Sequence, residues 1–282
     1  MNEQQILDWL RSTGIPACVG LKLGIGDDAA IYHAKPTEDL VFTTDLFIEN
    51  VHFRRTDPPA KIGHRALARS LSDIAAMGAT PSFCLVSLAL PKWAGEKWIK
   101  QFYRGLLRLA EQTKITLAGG DLSHAAQLIC DVMVCGSVPK DKALRRDGAR
   151  PGDSIYVSAP LGGWKNKRVI MPRLDIGHKL LGKATACMDI SDGLALDLHR
   201  LVLASGVAAE LDNIPLLKGA TVEQALHDGE DYELLYTVPP RVRVPGIRVG
   251  TIRKGKPGAL TYAGKPLPPR GYDHFQNRSR SD

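Results

Sequence analysis

Two periods of hydrophobic and polar residues divide this chain into recognisable elements. Between residues 61 and 77, Ile62, Ala66, Ser70 and Ile74 fall on one face of a 3.6-residue repeat, which predicts a helix. The repeat stops at Gly78, with Pro81 beyond it, a common ending for a helix. Residues 3–13 read as a short amphipathic helix and 98–112 as a longer one. Apolar runs at 40–45, 83–90, 115–118, 129–138, 155–158, 187–190 and 232–238 have the length and β-branched content of strands. The run at 115–118 is expected to end at Gly119 and Gly120, and a further helix is expected from Ser191 to about Ser205. Strands and helices alternate throughout, so the fold class is α/β or α+β.

Residues 139–153 break the alternation with two prolines, several charges, Gly148 and Gly152. They mark a domain boundary, giving an N-terminal domain over 1–138 and a C-terminal domain over 139–282 with a polar tail. A chain of 282 residues suits two domains at roughly 100–200 residues each. Hydrophobic residues make up 44% and charged residues 24%, enough apolar content for a packed core. No apolar run approaches the ~18 residues of a membrane span. The first ten residues carry acids and glutamines where a signal peptide is apolar, so a cytoplasmic protein is expected. The five cysteines form no CxxC pair, and Cys130 and Cys135 fall on opposite faces of one strand. They read as reduced, structural thiols.

Net charge is +7 and the isoelectric point about 9.2. The basic residues are scattered, with no basic-aromatic stripe of the kind that binds nucleic acid. A basic surface around an acidic pocket suits a polyanionic substrate carried in with metal ions; a solvated surface accounts for the excess equally well.

The candidate chemistry lies in carboxylates at turns. GIGDDAA (24–30) places Asp27 and Asp28 in a glycine-bounded corner, as a turn or as a site. TTD (43–45) ends an apolar strand with two hydroxyls and a carboxylate; these can ligate a hard cation or cap the next turn. ENVHF (49–53) adds His52, structural or functional. Asp73 stands in a helix of small and apolar residues, where a buried carboxylate is costly unless paired or bound to metal. GGD (119–121) lets a phosphate approach the backbone beside Asp121, or is a plain turn. MDISDG (188–193) puts Ser191 and Asp192 before a helix, where free N–H groups favour phosphate and where ordinary capping also occurs. GEDYEL (229–234) places Glu230 and Asp231 in a turn before a strand. GHKLLGK (177–183) approaches a Walker A loop, but residue 184 is alanine and 178–181 look helical, so a P-loop is excluded. Magnesium takes few protein carboxylates and prefers substrate phosphates, so many acidic turns without a P-loop suggest a multi-metal bridge to ATP.

In this order, GIGDDAA, TTD with ENVHF, LSDIAAMGA (71–79), GGD, RRDGARPGD (145–153), MDISDGLALDL (188–198), GEDYELL (229–235) and GYDHF (271–275) resemble the thiamine-monophosphate kinase family. Each string is weak; the ordered set spans nearly the whole chain. The resemblance implies the two-domain fold of aminoimidazole ribonucleotide synthetase, an N-terminal domain that dimerises through its sheet, and a homodimer. It implies Mg2+-dependent transfer of a phosphoryl group from ATP to thiamine monophosphate. Carried over, Asp28, Thr43, Thr44, Asp45, Asp73, Asp121, Asp189 and Asp192 would hold magnesium, with Asp73 and Asp121 central to catalysis. Tyr103, Gly120, Asp121, Arg146 and Ser191 would contact ATP, and His52, Glu230 and Tyr272 the thiamine substrate. The chain departs from the family in short stretches at 161–187 and 211–229, so the C-terminal α/β domain is trimmed. A sister ATP-dependent synthetase of the same superfamily, or a trimmed non-catalytic thiamine-phosphate-binding protein, are the alternatives. Neither nucleic acid nor a membrane is an expected partner.

Overall fold

The computed structural model describes residues 3–14, 18–25, 29–163 and 169–273. They form two compact units: Met1–Ile74 with Ala79–Asp141, and Ala75–Gly78 with Lys142–Asp282.

The first unit runs α1 (Glu3–Ser12), β1 (Leu21–Leu23), β2 (Ile31–Tyr32), β3 (Glu38–Ile48), α2 (Pro59–Ala76), β4 (Thr80–Leu90), α3 (Glu96–Thr113), β5 (Thr116–His124) and β6 (Ile129–Pro139). Its main sheet has the order β3-β6-β4-β5, antiparallel except for the β4–β5 pair. That pair is parallel because α3 carries the chain back to the starting edge. Helices α2 and α3 bury Ile62, Leu67, Leu71, Phe102, Leu106 and Leu109 with the sheet residues Phe47, Val132 and Val134. The helices themselves touch through glycines. A Cβ on Gly63 would stand 2.0 Å from the Phe102 carbonyl oxygen, and one on Gly105 would stand 1.9 Å from that of Ala60. On the opposite face of β3, Phe42 and Leu46 are 61% and 55% exposed.

β5 differs from the sequence expectation. It continues through Gly119 and Gly120 to His124 instead of ending at them. Gly120 has φ +151°, and a Cβ there would lie 1.9 Å from the Val86 carbonyl oxygen of β4. The glycine therefore marks a close approach of two strands.

The second unit contains β7 (Ser154–Val157), α4 (Leu174–Leu180), β8 (Ala186–Asp189), α5 (Leu194–Ala204), β9 (Ala208–Leu211), α6 (Val222–His227), β10 (Leu234–Val238), β11 (Ile247–Arg253), β12 (Leu260–Tyr262) and β13 (Lys265–Pro266). Its seven strands lie in the order β13-β12-β9-β11-β7-β10-β8, with β8 at an edge. One apolar cluster packs Met188, Leu235 and Val249 under Leu194, Leu198 and Leu201 of α5 and Leu226 of α6. A second packs Cys187, Leu234 and Tyr236 with Leu180 of α4. Successive residues of β8 and β10 thus enter different clusters, which is why these strands are continuous apolar runs. α6 is stabilised by a capping box in which Thr221 and Gln224 each bond the other's backbone N–H. Gly177 lies inside α4, so the Walker-like string is not a loop.

The mixed α/β class is the one the alternation implies. Cys130 and Cys135 fall on opposite faces of β6, and the described cysteines are free thiols. Burial pushes the Cys84 thiol up to about 12, so it stays protonated and unreactive.

Candidate functional site

In the first unit, α2 crosses the helix-covered face of β3. Thr43 donates its hydroxyl to Asp73 Oδ2 at 2.5 Å, joining strand to helix. Two residues along the same face, Asp45 lies 3.8 Å from the Arg69 guanidinium. Burial raises the Asp45 pKa, with Arg69 opposing. Thr44 does not join them. A strand turns alternate side chains to opposite faces, and Thr44 donates to Asp131 Oδ1 on β6 at 2.5 Å. The hydroxyl-hydroxyl-carboxylate trio is therefore split by the pleat: Thr43 meets Asp73 and Asp45 meets Arg69 on the α2 side, while Thr44 turns to the other face.

Asp121 lies on β5, where its Oδ2 accepts the Ser123 hydroxyl at 3.0 Å. In register it lines up with Ser87 on β4 and Asp131 on β6. Two strand spacings put the Asp121 and Asp131 backbones roughly 10 Å apart. Among the described residues, no three His, Cys, Asp or Glu side chains converge on one cation position. The donors are nonetheless hard oxygens, suited to magnesium that draws its other ligands from phosphates and water.

In the second unit, β8 delivers Asp189, only 7% exposed, and the chain turns through Ser191–Gly193 into α5. Of the two readings open for this turn, the backbone donors follow the intramolecular one. The N–H groups of Ser191 and Asp192 are not open to a phosphate: both donate to Asp197 Oδ2, at 3.0 and 2.9 Å. Asp197 is fully buried. Burial pushes its pKa up to about 6 against the pull of the Asp192 N–H and of Arg200. Arg200 Nη1 bridges Asp197 Oδ1 at 2.8 Å and Asp192 Oδ2 at 2.5 Å.

Two distant segments dock on the same turn. Glu230 N–H donates to the Ser191 carbonyl at 2.7 Å, and Tyr272 N–H to the Asp192 carbonyl at 3.0 Å. Glu230 and Tyr232 both have left-handed backbone, φ +55° and +50°. Such conformers cost a non-glycine residue about 1–2 kcal/mol and persist only where surroundings enforce them. The enforcement is visible. Asp231 accepts the N–H groups of Gly162 and Gly163 at 2.7–3.0 Å, and Tyr232 N–H donates to Ile190. Glu233 is gripped by Arg173 through Nε at 2.7 Å and Nη2 at 2.6 Å, and accepts the Ser158 hydroxyl.

The remaining candidates are dispersed. His52 is buried in the turn after β3, stacked on Phe47, its Nδ1 accepting the Ile48 N–H. Tyr103 is a correction: it is 2% exposed, wedged edge-on against Phe102 and Trp9, and its ring serves core packing with no open face for a nucleotide. Arg146 is exposed, and its carbonyl accepts the Ser205 hydroxyl at the C-terminal end of α5. Ser191 precedes the other end, ~16 Å away along an eleven-residue helix. Asp28 lies outside the described residues.

Sequence reasoning passed over Asp131, Asp197, Arg200, Arg173 and Glu233. Asp131 had a signal, a lone charge in the strand ICDVMV; Asp197 had one too, an acid near the start of an apolar helix.

An AIR synthase related protein N-terminal domain model matches residues 26–138. The thiamine-monophosphate kinase of Haemophilus influenzae is 32% identical over 311 aligned positions, covering 91% of this chain and 92% of the relative. That alignment is longer than the 282 residues here, so the relative carries segments this chain lacks. Among solved structures, the thiamine-monophosphate kinase of Stenotrophomonas maltophilia superposes with a TM-score of 0.84 at 33% identity, covering 95% of this chain and 98% of that one. AaThiL complexed with AMPPCP and TMP superposes with a TM-score of 0.79 at 29% identity, covering 97% of each.

Proposed function

The chain belongs to the thiamine-monophosphate kinase family, and we propose that it transfers the terminal phosphoryl group of ATP to thiamine monophosphate. The observation that carries this reading is the meeting of Glu230 and Tyr272 on the Ser191–Asp192 turn. Three segments far apart in sequence assemble one polar corner, and each belongs to the ordered motif set.

In the reaction an oxygen of the thiamine phosphate attacks the γ-phosphorus, and the bond to the β-phosphate oxygen breaks to release ADP. Such transfer needs alignment and charge neutralisation more than a general base. Asp73, held by Thr43, and Asp45, Asp121, Asp189 and Asp192 would hold magnesium, with Asp28 as a further candidate. Bound magnesium supplies charge neutralisation on the phosphoryl oxygens. The side chain of Ser191 and the backbone at Gly120 orient the nucleotide, with Arg146 as a further cation for its phosphates. His52, Glu230 and Tyr272 orient the thiamine. Its thiazolium carries a fixed positive charge that a carboxylate offsets, and a tyrosine face stacks on either ring.

The test is a coupled assay for ADP. Release is expected only with thiamine monophosphate, ATP and Mg2+ together, and free thiamine is expected not to substitute. Robust turnover of free thiamine, or none with any thiamine species, overturns the reading.

The same reading gives a homodimer built on the four-stranded sheet. Phe42 and Leu46 flank Thr44 along the open face of β3, two large apolar side chains more than half exposed. A mass of twice 30.7 kDa is expected in sedimentation. Phe42→Asp with Leu46→Asp is expected to shift it to the monomer, since burying two unpaired carboxylates costs several kcal/mol. A wild-type mass near 30.7 kDa across micromolar concentrations contradicts the dimer.

A further inference from the structure

Asp197 touches neither end of the reaction scheme above, yet two of the residues it bonds, Ser191 and Asp192, belong to it. Its Oδ2 takes the N–H groups of Ser191 and Asp192, and its Oδ1 takes Arg200, which also holds the Asp192 carboxylate. The carbonyls of those same two residues receive the N–H groups of Glu230 and Tyr272. One fully buried carboxylate thus holds the Ile190–Ser191 and Ser191–Asp192 peptides, whose carbonyls receive the Tyr232 and Glu230 N–H groups, and Tyr272 bonds the carbonyl of the very next peptide.

We propose that Asp197 is a positioning residue, the common support through which the nucleotide-side turn (Ser191, Asp192) and the thiamine-side residues (Glu230, Tyr272) keep one geometry. The proposal deepens the kinase reading and, where it concerns substrates, rests on it. It makes a particular claim: disturbance at Asp197 reaches both substrates, although the residue contacts neither. Replacing a buried acid that merely stabilised α5 would lower stability without changing either substrate's affinity. The geometry argues against that limited role, because Asp197 bonds backbone ahead of the helix as well as Arg200 within it. The strained Glu230 backbone also depends on a bond to Ser191.

The experiment compares the full-length wild type with Asp197→Ala and Asp197→Asn, by amide hydrogen exchange and by steady-state kinetics. In Asp197→Ala, exchange is expected to accelerate at least ~10-fold in segments 190–193, 229–232 and 271–273 together, as one cooperative unit. The KM values for ATP and for thiamine monophosphate are expected to rise together, by about 5–10-fold each. Asn keeps one oxygen for the two N–H groups and gives up the ion pair with Arg200, so it is expected to fall between Ala and wild type. Faster exchange confined to 190–193, or a KM change for one substrate alone, overturns the proposal. If Asp197→Ala does not fold, Asp197→Asn decides by the same criteria. Should the wild type fail to phosphorylate thiamine monophosphate, the kinase reading falls, while joint exchange across the three segments still upholds the support role of Asp197.

Discussion

Replacing Asp73 by asparagine is expected to lower kcat/KM for thiamine monophosphate by at least ~100-fold while leaving the fold intact. Asp73 sits on α2, half-buried, and receives the Thr43 hydroxyl from β3. Asparagine has the same shape, and its carbonyl oxygen accepts that hydroxyl, so the strand–helix contact survives. What it lacks is the negative charge. A carboxylate aimed at a magnesium–phosphate assembly acts through that charge, and about 1.4 kcal/mol of lost transition-state stabilisation is worth each factor of ten. The measurement is ADP release beside a thermal melt of the same preparation. Activity within about threefold of wild type, at unchanged Tm, would leave Asp73 as no more than the hydroxyl acceptor of Thr43.

Arg173→Met is expected to be the most destabilising of the single changes proposed, by about 3–5 kcal/mol. The Glu233 side chain is 2% exposed and receives two charge-assisted bonds from Arg173 and one from Ser158. Methionine fills much of the arginine stem's volume and removes the charge, leaving a buried carboxylate with the Ser158 hydroxyl but without the Arg173 cation. Breaking one side of such a pair costs far more than replacing both, because the remaining ion is left uncompensated. Arg173→Met is therefore expected to lower Tm by roughly 10 °C, and the double variant Arg173→Met with Glu233→Leu to recover most of that loss. A drop of less than about 2 °C in the single variant would mean that water reaches Glu233 and screens it. Because Glu233 follows the strained Glu230–Tyr232 turn, the single variant is expected to weaken thiamine monophosphate binding as well.

Much of the frame was legible along the chain because it is written locally. The 3.6-residue repeat located α2 and α3, and apolar runs located β4, β6, β8 and β10, since burial of one face or of both imposes those patterns on neighbouring residues. The short strands β1, β2, β9, β11, β12 and β13 passed unnoticed. β1, β2, β9, β12 and β13 have two to four residues, too few for a periodic trace, and β9 and β11 are held by pairing with segments distant along the chain. The ordered acidic strings fixed the family, and with it the chemistry, because a set of motifs in one order is specific even where each member is a common turn.

Which of those residues stand together was decided by tertiary structure alone. TTD reads as one cluster along the chain, yet the strand's two-residue period sends Thr44 to Asp131 and leaves Thr43 with Asp73. Gly119 and Gly120 read as a strand ending, but the nearness of the Val86 carbonyl, a property of β4, makes them its continuation. Tyr103 sits in a helical stretch with nothing local to say that its ring would be enclosed by Phe102 and Trp9. Asp197 looks like one more helical acid until Ser191 and Asp192 fold back onto it. By itself the sequence determined the element types, the family and the stock of carboxylates, because these follow from residue identity and from spacings within a turn or two. The partners of Asp73, Asp131, Asp231 and Glu233 are residues 30 to 87 positions away, brought within about 3 Å by folding, and no local pattern encodes them.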